Sequence, residues 1–263
     1  YGNIYTTRQL LQLFERAYGL HAPVDDIWRT ADGWVDPFRP FIQPGGFASE
    51  AEFYADQAAH FVAIRQIVET ADVFVFTLGL TEAWENTQDG SVYALCPGCG
   101  AGEHRPDRHQ LRNFSMTEVT ADLQAAIKFM TARNPNVRVL LTVSPVPLIA
   151  TFEKQHVLAA TTYSKSVLRV AAQEVANAHA HVDYFSSYEI ITAGFSRGAY
   201  FGPDLRNVEE VGVQHAMCSF FTNYMAGGAP EAPAQAQTQP VQAVTSSAKL
   251  TDLVCDEEQL DLS

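Results

Sequence analysis

Residues 73–84 read V-F-V-F-T-L-G-L-T-E-A-W, and this stretch decides the fold. Val73 to Leu78 is apolar or β-branched throughout and runs straight into Gly79. A continuous apolar run that stops at a glycine predicts a strand buried on both faces, the central strand of a sheet. Polar groups follow at once in Thr81 and Glu82. In open α/β sheets, ligands bind beyond the carboxyl ends of the strands. The same stretch therefore predicts both the core and the rim where chemistry sits.

Outward from it, strands and helices alternate. Upstream, Thr6 or Thr7 caps a helix carrying Leu10, Leu11, Phe14 and Ala17 at helical spacing, with Gly19 as its stop. Ser49 and Glu52 form a capping box for a helix running to about Thr70. Downstream, Gln88-Asp89-Gly90 marks the turn of a hairpin between Trp84 and Leu95, and residues 96–114 read as a polar loop. Ser115 and Glu118 open a helix over residues 117–133. Val137 to Val143 is the next strand, ended by Ser144-Pro145-Val146-Pro147. A helix over residues 161–179, a strand over 181–185 and a helix over 208–226 follow. This order is the pattern of a parallel sheet covered by helices, and right-handed crossovers bring its strand ends to one rim.

Residues 20–47 are irregular and carry Trp28, Trp34, Phe38 and Phe41. They are either a loop pinned by aromatic anchors or a lid beside the site. One α/β domain is expected over residues 1–226. From Gly227 the composition turns to Gly, Ala, Pro, Gln, Thr and Ser, which predicts a disordered tail. Its acidic end, Leu250 to Leu260, reads as a solvated terminus or as a docking motif for a protein partner.

Across 263 residues, 47% are hydrophobic and the net charge is −13. Phosphate binding needs clustered Lys and Arg, so nucleic acid is not an expected partner. No apolar run reaches the ~18 residues that span a bilayer, so no membrane is expected either. Four cysteines in a chain this long do not make a disulfide scaffold, and a reduced, cytoplasmic setting is the default. The chain begins at Tyr1 rather than Met, which reads as a fragment with its true start upstream.

Cys96, Cys99, His104 and His109 have the ligand types of a tetrahedral zinc site. The short Gly-Ala-Gly gap between Cys99 and His104 does not match the usual separation of ligand pairs, and no metal is assigned. No glycine-rich phosphate loop follows a buried strand, so no cofactor is assigned. Ser144 ends a strand, but Ser-Pro-Val-Pro lacks the glycines of a nucleophile elbow. Gly79 and Thr81 fit better as oxyanion neighbours: a glycine permits close backbone approach and a threonine supplies a donor. Glu82 orients a substrate hydroxyl or pairs with an arginine, and His156 lies in a loop free to reach the rim. Asp204 stands at a turn where it either caps a helix or orients a base. His215 lies inside the following helix, eight residues beyond Asn207 and so roughly 12 Å down its axis.

These pieces together resemble the GSCFA family, a branch of the SGNH-type hydrolases and acyltransferases. The matching elements are YGNIYTTRQL, VFVFTLGLTEAW, Asn113-Phe114, LLTVSPVPL, His156 with TTYSKSVLR, DYFSSYEII and YFGPDLRNVEEVGVQHAM, spread over residues 1–225. The resemblance implies a three-layer α/β/α sandwich, flavodoxin-like, with a Ser nucleophile, an oxyanion hole and an Asp-x-x-His pair. It implies a small-molecule or glycan ester as substrate. The motif that gives the family its name is missing from this chain. The Gly-x-Asn element matches at Gly79 but has Thr81 in its Asn position. Asp-x-x-His falls on Asp204-Leu205-Arg206-Asn207, and an asparagine is no general base at neutral pH. Asp204 carries over; the base passes to His215 or His156. Residues 1–263 alone are expected to be inactive. The other reading is a non-catalytic binding or scaffold module on the same fold.

Overall fold

The computed structural model describes residues 2–225, so the expected tail and its acidic end lie outside the described residues. Where one domain is expected, the described chain divides into two compact units, residues 2–188 and 189–225. The protein is mixed α/β, and its described residues hold six α-helices and a three-stranded parallel sheet. Among the described residues no helix is long and apolar enough to cross a membrane.

The first unit begins with α1 (Thr7–Ala17). Thr6 is its cap: the Thr6 hydroxyl accepts from Gln9 N–H while Gln9 Oε1 accepts from the backbone of Tyr5 and Thr6. Two short strands, β1 (Trp28–Arg29) and β2 (Trp34–Val35), pair antiparallel within the stretch expected to be irregular. Helix α2 (Glu50–Thr70) starts at Ser49. Its box is shifted by one residue, because the Glu52 carboxylate reaches Ala48 N–H at 3.0 Å.

Strand β3 (Val73–Leu78) forms as read, yet it corrects the opening expectation. It is the edge of a parallel sheet in the order β3–β7–β8, with β7 spanning Arg138–Val143 and β8 Val182–Tyr184. Its faces differ. Phe76 and Leu78 are buried, whereas Val73 and Val75 are 56% and 53% exposed. In the β3–β7 register Phe74, Phe76 and Leu78 lie beside Val139, Leu141 and Val143. These side chains share one core with Leu10 and Phe14 of α1, with Leu123, Ile127 and Met130 of α3 (Met116–Thr131) and with Leu168, Ala172 and Val175 of α4 (Val157–Ala178). Burying a Leu, Ile or Phe side chain is worth about 1.5–3 kcal/mol each, so this face carries most of the unit's stability.

An antiparallel sheet, β5–β4–β6, sits beyond β3 in the chain. Strand β4 (Glu82–Asn86) turns through Gly90, at φ +73°, into β5 (Val92–Tyr93), which is the expected hairpin. Strand β6 (His109–Asn113) lies inside the stretch read as a polar loop and pairs with all five residues of β4. Its polar composition hides it: Leu111 is the single apolar residue, and Arg112 faces Glu85 and Glu118 rather than an apolar layer. Trp28, Val35 and Tyr93 form a second small core with Phe38 against it, so the 20–47 loop is pinned by aromatic anchors. Gly102 belongs to the same packing, since a Cβ there would lie 2.7 Å from the Trp28 ring.

Helix α5 (Ser187–Thr192) leads into the second unit, which holds a turn at residues 201–208 and α6 (Glu210–Tyr224). Ile191 and Ala216 are its buried apolar residues. Gly212 lets Tyr200 and Ile191 lie directly on α6, because a Cβ would sit 2.8 Å from the Tyr200 Cβ.

Candidate active site

At the end of β3 every amide of the expected oxyanion shelf has a partner. Gly79 N–H and Leu80 N–H both donate to the Tyr5 carbonyl, each at 3.1 Å. Thr81 N–H donates to Ser164 Oγ at 3.1 Å, and its hydroxyl donates to Asn113 Oδ1 at 2.7 Å. Thr81 is fully buried, and its carbonyl accepts from Phe114 N–H. Two successive N–H groups aimed at one oxygen is the geometry an oxyanion hole uses, but here the oxygen is the chain's own. Gly79 is required for that approach: a Cβ would lie 3.0 Å from the Tyr5 oxygen. Gly79→Ala should therefore destabilise the first unit by about 1–3 kcal/mol through overpacking, measured as a fall in the urea midpoint. An unchanged midpoint would show that the Tyr5 contact is not tight.

Two residues of this cluster were not singled out in the sequence. Lys165 is 3% exposed and donates to the Gly79 carbonyl at 2.6 Å. Ser164 is equally buried. Both lie on α4 within TTYSKSVLR, and Lys165 shares the apolar face of Leu168, Ala172 and Val175 at spacings of three, seven and ten. A lysine on the buried stripe of a helix is the signal that could have found it.

Glu82 is not paired with an arginine. Its carboxylate accepts from Thr151 Oγ1 at 2.6 Å and from Phe152 N–H at 3.4 Å, which fastens the loop after β7 to β4. Trp84 meets the Phe152 ring edge-on at 5.3 Å and reinforces this tie. His156 is the N-cap of α4: its Nδ1 accepts from Leu158 N–H at 3.1 Å, and the ring is exposed. Ser144 continues the β3–β7 pairing through its N–H to the Leu78 carbonyl, and its hydroxyl accepts from Val146 N–H. His109 Nδ1 accepts from Arg105 N–H, and His104 packs against Trp84. Among the described residues no three His, Cys, Asp or Glu side chains are grouped to hold a metal ion.

In the second unit Asp204 is spent on its own turn. One oxygen accepts from the N–H groups of Arg206 and Asn207, each at 3.1 Å, and the other from the Asn207 amide at 2.6 Å. The Arg206 N–H foremost, with that of Asn207, holds the carboxyl below the usual aspartate range. Leu205 adopts φ +57° to close the turn. Asp204 and His215 are not brought into contact by a hydrogen bond or ion pair. His215 instead meets Tyr200, with Nδ1 and the phenol oxygen 2.7 Å apart, and Phe195 flanks the ring at 6.0 Å. Nε2 makes no hydrogen bond among the described residues.

The GSCFA family model matches residues 1–220. The chain belongs to the GSCFA family. No curated protein and no solved structure matches it. Within this GSCFA chain the ring of His215 is held by a side-chain partner, Tyr200, which nothing in the sequence marked out.

Proposed function

We propose that this GSCFA protein is an SGNH-type hydrolase or O-acyltransferase acting on acyl esters of carbohydrate-like alcohols. The family match over residues 1–220 carries the reading. The chemistry requires a serine to attack the acyl carbonyl and a base to take its proton. The family's serine motif is not within residues 1–263, so the reading draws the nucleophile from elsewhere in the natural protein. His215 is the base. For that role Nδ1–H donates to Tyr200 Oη, which leaves the Nε2 lone pair to take the serine proton and later return one to the leaving alcohol. Tyr200 orients the ring as an aspartate would, without the negative charge that stabilises the imidazolium.

The test is hydrolysis of aryl acetates and acetylated sugars by the natural protein in full, against a variant with the nucleophilic serine changed to alanine. The reading expects turnover that the variant loses. Equal rates in the two proteins would overturn it.

One observation favours a second reading, a non-catalytic module that binds a glycan or acylated ligand. The Asp204 carboxylate is closed off by Asn207 where the family carries a histidine. Activity created by Asn207→His in a protein otherwise inert would support it.

A further inference from the structure

One buried cation of the first unit has an unengaged N–H edge. Arg16, in the last turn of α1, is 7% exposed and makes no hydrogen bond or ion pair among the described residues. Its guanidinium lies 3.5 Å over the Phe38 ring and 5.3 Å from that of Phe61, so its faces are packed while its N–H edge is unused. Buried charges are ordinarily paired, because an unpaired one forfeits its hydration for nothing. Burial lowers the Arg16 pKa to about 10, which leaves it a cation at neutral pH.

Arg16 lines a partly open cavity of about 30 Å³ with Gln9, Phe38, Arg39 and His60. Three features define what fits there. First, the charge is single. Arg39 is already engaged by Asp36 at 2.7 Å and Asp56 at 2.6 Å, and burial foremost lowers the His60 pKa to about 4, so the ring is neutral. Arg16 is the lining arginine without a direct ion pair, and the carboxylates of Asp36 and Asp26 lie within electrostatic reach of it. Second, there is a neutral donor. Gln9 spends its amide oxygen on Tyr5 and Thr6, and its NH2 makes no hydrogen bond among the described residues. Third, the space is small and open on one side, which suits a small head group whose tail stays outside.

We propose that this cavity is a binding site for a small monocarboxylate, gripped by the guanidinium fork of Arg16 with Gln9 beside it, its tail directed to the open side. A carboxylate matches the guanidinium bidentately. The site is independent of the esterase reading, since none of its residues has a part in that chemistry.

The experiment is calorimetric titration of sodium acetate into residues 1–263 at constant ionic strength, with sodium chloride and inorganic phosphate as parallel probes. The expected result is saturable one-to-one acetate binding with a Kd on the order of 1 mM. Binding should weaken at least tenfold in Arg16→Met and stay unchanged in Arg8→Met. If Arg16→Met does not fold, Arg16→Lys keeps the charge without the fork and should also weaken binding. In addition, the Arg16 Nε–H resonance of the unaltered protein should shift on saturation with acetate. Absence of saturable acetate binding, binding indifferent to the Arg16 variants with no Nε–H shift, or tighter binding of phosphate than of acetate would each overturn the proposal.

Discussion

Arg39→Met is expected to destabilise the first unit by about 3–5 kcal/mol, the usual result of stripping one partner from a buried ion pair. Asp36 is 1% exposed, and its carboxylate holds Arg39 Nε at 2.7 Å and Phe38 N–H at 2.9 Å. Without the guanidinium a buried negative charge keeps a single donor. Arg39 also bridges to Asp56 on α2, and Gly2 packs against its stem, so the substitution removes packing as well as charge. The companion experiment separates the two causes. Asp36→Leu combined with Arg39→Met removes both charges, and the pair should recover much of the loss in urea denaturation. If the double variant is as unstable as Arg39→Met alone, lost packing rather than the orphaned carboxylate sets the cost.

His215→Ala in the natural protein is expected to lower kcat/KM for ester hydrolysis by about 10²–10⁴, the usual worth of a positioned general base. Tyr200→Phe should cost less, on the order of tenfold, because the ring stays in place on Gly212 while the hydrogen bond to Nδ1 is lost. The two variants divide base from positioning residue. The first removes the group that takes the proton. The second frees the imidazole to adopt the wrong tautomer and should shift the acid limb of the pH–rate profile. A Tyr200→Phe enzyme with an unchanged rate and profile would show that the phenol does not orient the base.

The parallel sheet was legible because β3 and β7 are apolar runs closed by Gly79 and by Pro145, and the helices because Thr6, Ser49 and Ser115 cap them. What escaped had no periodic apolar signal. Strand β6 has Leu111 as its single apolar residue, and its Gln110 and Arg112 are satisfied by Glu85 and Glu118, so its composition is that of a loop. The exposure of Val73 and Val75 escaped for the opposite reason. An apolar run implies two buried faces, and nothing in one strand's sequence says which neighbours cover it. At the site, Thr81 and Glu82 were found as polar groups at a strand end, but their partners Asn113, Ser164 and Thr151 lie 32, 83 and 69 residues away. Tyr200 escaped because its significance comes only from standing 15 residues before a histidine that α6 turns back toward it.

On the proposed function the base of this GSCFA chain is His215 and not a group at the Asp204–Asn207 turn. Its most direct test is kcat/KM for an acetylated sugar, measured side by side for the natural protein, His215→Ala and Asn207→Ala. The expected result is a fall of about 10²–10⁴ for His215→Ala and a near-unchanged value for Asn207→Ala. Full activity in His215→Ala, or a collapse confined to Asn207→Ala, would contradict it.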